Sequence, residues 1–113
     1  MRITNRTQSA VLAEKAGYAD TFLTRLRGLI GQKSLRDGEG LVITQCNSIH
    51  MFFMTFPIDV LFLAKDGTVV GMAEKIPPYA LSPIFWRASL AVELPAGRIA
   101  STKTRLNDLI VLE

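Results

Sequence analysis

The sequence predicts a mainly β domain, α+β at its margin. It has the form of a small β sandwich or distorted barrel with one amphipathic helix packed on it. Three observations lead there. Short runs rich in Val, Ile, Leu and Phe recur along the chain with turn residues between them. Lys65-Asp66-Gly67-Thr68 places Asp-Gly between two such runs, the strongest hairpin signal in the chain. Only the stretch 20–31 keeps the spacing of a helix.

Length and composition bound the rest. A chain of 113 residues is near the common size of one domain, and we read 1–113 as a single one. With 49% hydrophobic and 20% charged residues it is globular rather than disordered. Its apolar runs fall short of the ~20 residues that span a bilayer, so no membrane role is expected. The start, MRITNRTQSAVLAEKAG, lacks an unbroken apolar region with a cleavage site. A single Cys suits a reducing compartment, and we expect a cytoplasmic protein. Thirteen basic against 10 acidic residues give +3, scattered in position. That favours weak attraction to anions, whereas a nucleic-acid binder needs a clustered basic face.

In chain order, Arg2-Ile3-Thr4 reads as a short strand. Asn5 to Ser9 is a loop, and Val11 to Lys15 the returning strand, ended by Gly17. Asp20 to Gly31 is the helix. Asp20 can accept from the free first-turn amides, Phe22, Leu26, Leu29 and Ile30 share one face, and Gly31 stops it. Lys33 to Gly40 is a polar connection, and Leu41-Val42-Ile43 a short buried strand. Ser48 to Met54 is extended with large apolar groups on both faces, so both faces are covered. Pro57 cannot donate to a ladder and breaks that run. Ile58 to Ala64 and Thr68 to Ile76 form the hairpin arms. Ala80 to Arg87 is a loop carrying Phe85 and Trp86. Ser89 to Leu94 is a strand, Arg98 to Lys103 a short helical segment, and Asp108 to Leu112 the last strand.

Candidate chemistry centres on CNSIHMFFMTFPIDVLFL, residues 46–63, which holds the only Cys, the only His and four of the six Phe. Polar groups set into such a run need partners or cost ~1–3 kcal/mol. His50 and Asp59 could act as general base and orienting acid. The reading we favour is that His50 packs with its nitrogens satisfied while Asp59 caps backbone amides at a strand start. Cys46 and His50, ~13 Å apart in an extended run, cannot pair directly. One His and one Cys leave too few ligands for a metal site, and no cofactor motif is present. Arg25, Arg27 and Arg87 could gather as an anion-binding patch, since guanidinium binds carboxylate or phosphate in a fork. The more ordinary reading, which we favour for these residues, is a solvated helix face with one Arg paired to Glu39 or Asp59. Trp86, in a loop beside Pro83, could line a pocket.

The stretch CNSIHMFFMTFPIDVLFLAKDGTVV resembles the core motif of a prokaryotic family, the domain of unknown function 192. RLRGLIG with the following GEGLVI, and AVELPAG further on, are similar to other blocks of that family in the same order. The resemblance implies a compact, mainly β sandwich or distorted barrel and no particular reaction. Where the family often has Gly-Asp before its last strand, this chain has Asn107-Asp108, and Asn also tolerates a left-handed turn. The expectation is therefore a non-catalytic domain that binds a small anion or a peptide through His50, Asp59, Arg25, Arg27 and Trp86. A small hydrolase-like enzyme using His50 and Asp59 is the alternative.

Overall fold

The computed structural model describes residues 1–19, 35–49, 51 and 55–113. Eight strands and one short helix are assigned among them: β1 Ile3–Asn5, β2 Ala10–Ala13, β3 Lys15–Ala19, β4 Glu39–Thr44, β5 Ile58–Leu63, β6 Val69–Ile76, β7 Leu90–Pro95, α1 Arg98–Ser101 and β8 Ile110–Leu112. The helix expected over Asp20 to Gly31 lies outside the described residues.

The strands make two sheets. The smaller has the order β2-β1-β8 and the larger β3-β4-β7-β5-β6. All pairings are antiparallel except β3 with β4. The expected first hairpin is present, with Ile3 opposite Ala13 and Asn5 opposite Ala10. The Asp-Gly hairpin joins β5 to β6. Gly67 takes φ +95°, and a Cβ there would meet the Ile110 carbonyl oxygen at 2.4 Å. The Asp66 carboxylate accepts from the Thr68 amide at 2.9 Å and stays below the usual carboxylate range chiefly because of that bond.

The larger sheet is covered on both faces, which explains why β5 is buried at every position. On one face Val42, Leu61, Leu63, Val92 and Leu94 pack against Ile3, Leu12 and Ile110 of the smaller sheet and Ile99 of α1. On the other face Ile43, Ile58, Val60, Phe62 and Ala91 pack beneath Ile49, Met51 and Phe56 of the central stretch, with Phe85 against them. The architecture is a sandwich with a second, loop-covered core.

Three of the boundary differences from the sequence reading concern how the strands pair, beside shifts of one or two residues elsewhere. The second strand stops at Ala13 and a separate β3 runs through Gly17, because the chain bends at Glu14 and then pairs in parallel with β4. β4 begins at Glu39 rather than Leu41, since its first residues pair with Lys15 and Ala16. The last strand begins at Ile110, and Leu109 forms only a single bridge to Thr68. Asn107 takes φ 73°, the left-handed turn expected of it.

Candidate functional site

Asp59 sits near the start of β5, fully buried, on the face it shares with Leu61 and Leu63. Its Oδ1 accepts from the Lys75 amide at 2.8 Å. Its Oδ2 accepts from the amides of Gly97 at 3.1 Å and Ile99 at 2.8 Å. The Ile99 amide belongs to the first turn of α1, where amides have no partner within the helix. One carboxylate thus binds the end of β6 and the start of α1 to the beginning of β5.

Trp86 stands on the opposite side of that sheet, in the connection between β6 and β7. The Phe85 ring packs on Phe62 with centroids 4.5 Å apart, and Phe62 alternates with Asp59 along β5. Gly71 makes this seat possible, since a Cβ there would fall 2.2 Å from the Phe85 ring. Asp59 and the loop carrying Trp86 therefore lie on different faces of one sheet. His50, Arg25 and Arg27 lie outside the described residues.

The loop is fastened to the central stretch by backbone pairing. Tyr79 donates to the Met51 carbonyl and Met51 to that of Ala80, both at 2.8 Å. Ile49 donates to Ser82 Oγ at 2.8 Å, Ser82 returns a bond to the Ile49 carbonyl, and Phe85 donates to the Asn47 carbonyl. These bonds and the Phe85 anchor hold an irregular strip that presents Tyr79, Leu81, Ile84 and Trp86 outward. Each is at least half exposed, and Trp86 is 80% exposed. Exposed Tyr and Trp on a fixed backbone are the composition of a contact surface. Arg87 follows directly and is exposed, with no ion pair among the described residues.

Cys46 is half-buried, and its thiol donates to the Ser48 carbonyl at 3.0 Å. Glu39, proposed as a partner for a helix Arg, accepts from the Arg36 amide at 2.8 Å. Among the described residues no group of three His, Cys, Asp or Glu could hold a metal ion, and no helix is long and apolar enough to cross a membrane.

Two buried polar features escaped the sequence reading. Glu93 is fully buried on the face of β7 that it shares with Ala91, opposite Leu41 and Val60. The strand reading of Ser89 to Leu94 left the place of Glu93 unassigned. Asn5, Thr104 and Asp108 form a buried cluster. Asn5 Nδ2 donates to Thr104 Oγ1 and to Asp108 Oδ2, both at 3.0 Å. Gln8 Nε2 and the Arg105 amide donate to the same Asp108 oxygen. Burial alone would raise the Asp108 carboxyl. The bonds from Asn5, Arg105 and Gln8 and the Arg105 charge outweigh it and hold the group below the usual carboxylate range.

Comparison with known proteins follows the same lines. The profile of the domain of unknown function 192 family, described as Uncharacterized ACR, matches residues 2–112. A UPF0127 protein of Thermococcus kodakarensis is 36% identical over 114 residues, covering 96% of this chain and 71% of its own length. One of Thermococcus sibiricus is 32% identical over 110 residues, covering 94% and 71%. Among solved structures, a protein of unknown function from Novosphingobium aromaticivorans superposes with a TM-score of 0.82 at 20% identity, over 98% of this chain and 82% of its own. A Sinorhizobium meliloti protein, provisionally described as a transcription regulator, gives 0.78 at 22% identity, over 97% and 89%. At these identities the two structures establish the fold alone.

Proposed function

Because this chain belongs to the domain of unknown function 192 family, whose description names no reaction, we propose from its own geometry that it is a non-catalytic, cytoplasmic binding domain. Its ligand is a peptide segment with apolar side chains and an acidic residue. The observation that carries this reading is the braced strip of Tyr79, Leu81, Ile84 and Trp86, with an exposed Arg87 beside it that makes no ion pair among the described residues. Apolar area on a rigid backbone contributes contact energy with little ordering cost, and Arg87 supplies a fork for a carboxylate. His50, Arg25 and Arg27 are the further polar groups we assign to this recognition, from the sequence. The hydrolase-like alternative draws no support from Asp59, whose two oxygens already accept three backbone amides.

Trp86 is the only Trp in the chain, so its emission reports on the strip directly. A peptide array of apolar sequences with and without Asp or Glu should identify binders that shift this emission. Trp86→Phe or Ile84→Ser should weaken them while leaving the melting temperature unchanged. Arg87→Gln should erase the preference for acidic members. Full binding by Ile84→Ser and Arg87→Gln together would defeat the proposal. So would tight, salt-dependent binding of duplex DNA with no peptide bound.

A further inference from the structure

We propose that a second surface, the cleft between α1, β6 and the β1–β2 turn, binds a small organic anion with an apolar body. The cleft holds about 340 Å³, with Met72 and Ile99 as apolar lining and Gln8, Glu74, Lys103 and Arg105 as polar lining. That is a volume suited to a small ligand. It lies apart from the Trp86 strip and does not depend on the reading given for it.

Its walls are fixed by the two buried carboxylates. Asp59 accepts from Lys75, next to Glu74 on β6, and from Ile99 on α1. Asp108 accepts from Gln8 and from the Arg105 amide. Three separate stretches of chain are therefore locked before any ligand arrives, which is the preorganisation a binding site requires.

Two cations face the cleft. Lys103 and Arg105 are both exposed, and neither side chain has a hydrogen bond or ion pair among the described residues. Glu74 is the one acid on the described lining, and the buried Asp108 carboxylate lies behind it within reach of the Arg105 charge, so what favours an anion is the exposure of the two cations and not a net charge. Lys103 takes φ 56° and Lys75, beside Glu74, takes φ 50°. At Lys103 this is the left-handed residue that ends α1, its amide donating to the Ala100 carbonyl and that of Thr104 to the Ile99 carbonyl. A carboxylate or phosphate monoester head would meet Lys103 and Arg105 while its alkyl or aryl body lies on Met72 and Ala100, above the buried Ile99. Gln8 retains an amide oxygen for a neighbouring hydroxyl or amide.

The test is an amide-resolved NMR titration of the whole chain at low salt with hexanoate, hexyl phosphate and, as a neutral control, hexanol. Hexanoate or hexyl phosphate should shift the amides of Ile99, Thr104 and Arg105 to saturation, and hexanol should not. The double variant Lys103→Gln with Arg105→Gln should bind about tenfold more weakly, two exposed ion pairs being lost. Glu74→Gln should bind more tightly. Should the double variant fold poorly, the wild-type chain still decides, because affinity must fall as salt rises. Equal binding of hexanol, unsaturated shifts, or an affinity indifferent to both salt and the double variant would overturn the proposal. Trp86→Phe should leave these shifts unchanged.

Discussion

Replacing Asp59 with Ala would strand three backbone donors at once. The amides of Lys75, Gly97 and Ile99 all end on this carboxylate, at 2.8, 3.1 and 2.8 Å, and the side chain is fully buried. A buried donor left without its acceptor costs ~1–3 kcal/mol. The three share one acceptor group, so their losses do not add, and we expect about 3 kcal/mol in total. A domain of this size loses ~4–8 °C of Tm per kcal/mol, giving a fall of roughly 12–24 °C. Asp66→Ala is the matched control. It also removes a carboxylate from a backbone amide, but at an exposed turn, and should cost under ~1 kcal/mol. Thermal unfolding by circular dichroism reads the difference, and hydrogen exchange locates it. The amides of Lys75, Gly97 and Ile99 should lose protection ahead of the strand amides of β5 and β7. Equal Tm losses in the two variants, or undiminished protection at those three amides, would refute the idea that Asp59 fastens β6 and α1 to the sheet.

Other expectations follow from particular contacts. Gly67→Ala should destabilise by ~2 kcal/mol or more, because its φ of +95° and the Ile110 carbonyl 2.4 Å away both oppose a side chain; a fall in urea midpoint measures it. Gly71→Ala should cost ~1–3 kcal/mol by displacing Phe85. It should also change Trp86 emission, since Phe85 anchors that loop; unaltered emission with unaltered stability would count against the anchor. Asp108 governs part of the acid limb. Its folded carboxyl titrates below the ordinary 3.8, so its contribution is complete above that value and is lost as pH falls through the folded one. A Tm profile from ~pH 6 to ~pH 2 should therefore fall less steeply at its acid end in Asp108→Asn than in the wild type.

The parts of this fold that could be read from the sequence are those set by local chemistry. Asp66-Gly67 made a hairpin because glycine alone accepts the backbone angle the turn needs. Pro57 kept the central stretch apart from β5, and Asn107 adopted the left-handed conformation that its side chain tolerates. β3 was hidden because Lys15–Ala19 has a mixed burial pattern and a Gly, and its pairing with β4 crosses 23 positions or so of chain. The buried place of Glu93 was hidden for a different reason. Alternation marks an outer face only where one face is wet, and here loops cover the second. Of the candidate site residues, Asp59 and Trp86 stand on opposite sides of one sheet, which spacing along the chain could not tell. The cluster of Asn5, Thr104 and Asp108 joins positions 99 and 103 residues apart, beyond the reach of any local pattern.

That last separation bears on how the molecule is made. During synthesis at ~5–20 residues per second, Asn5 waits ~5–20 s for Asp108 to leave the ribosome. β1 has β2 as its early companion, but β8 follows only after all the other described strands. The first hairpin must therefore persist half-dressed, one edge bare, until the final strand slots in beside it. Translation speed over the codons between Asn5 and Asp108, and any chaperone that shields a lone hairpin, should matter more to the yield of this protein than to that of a domain built from neighbouring segments.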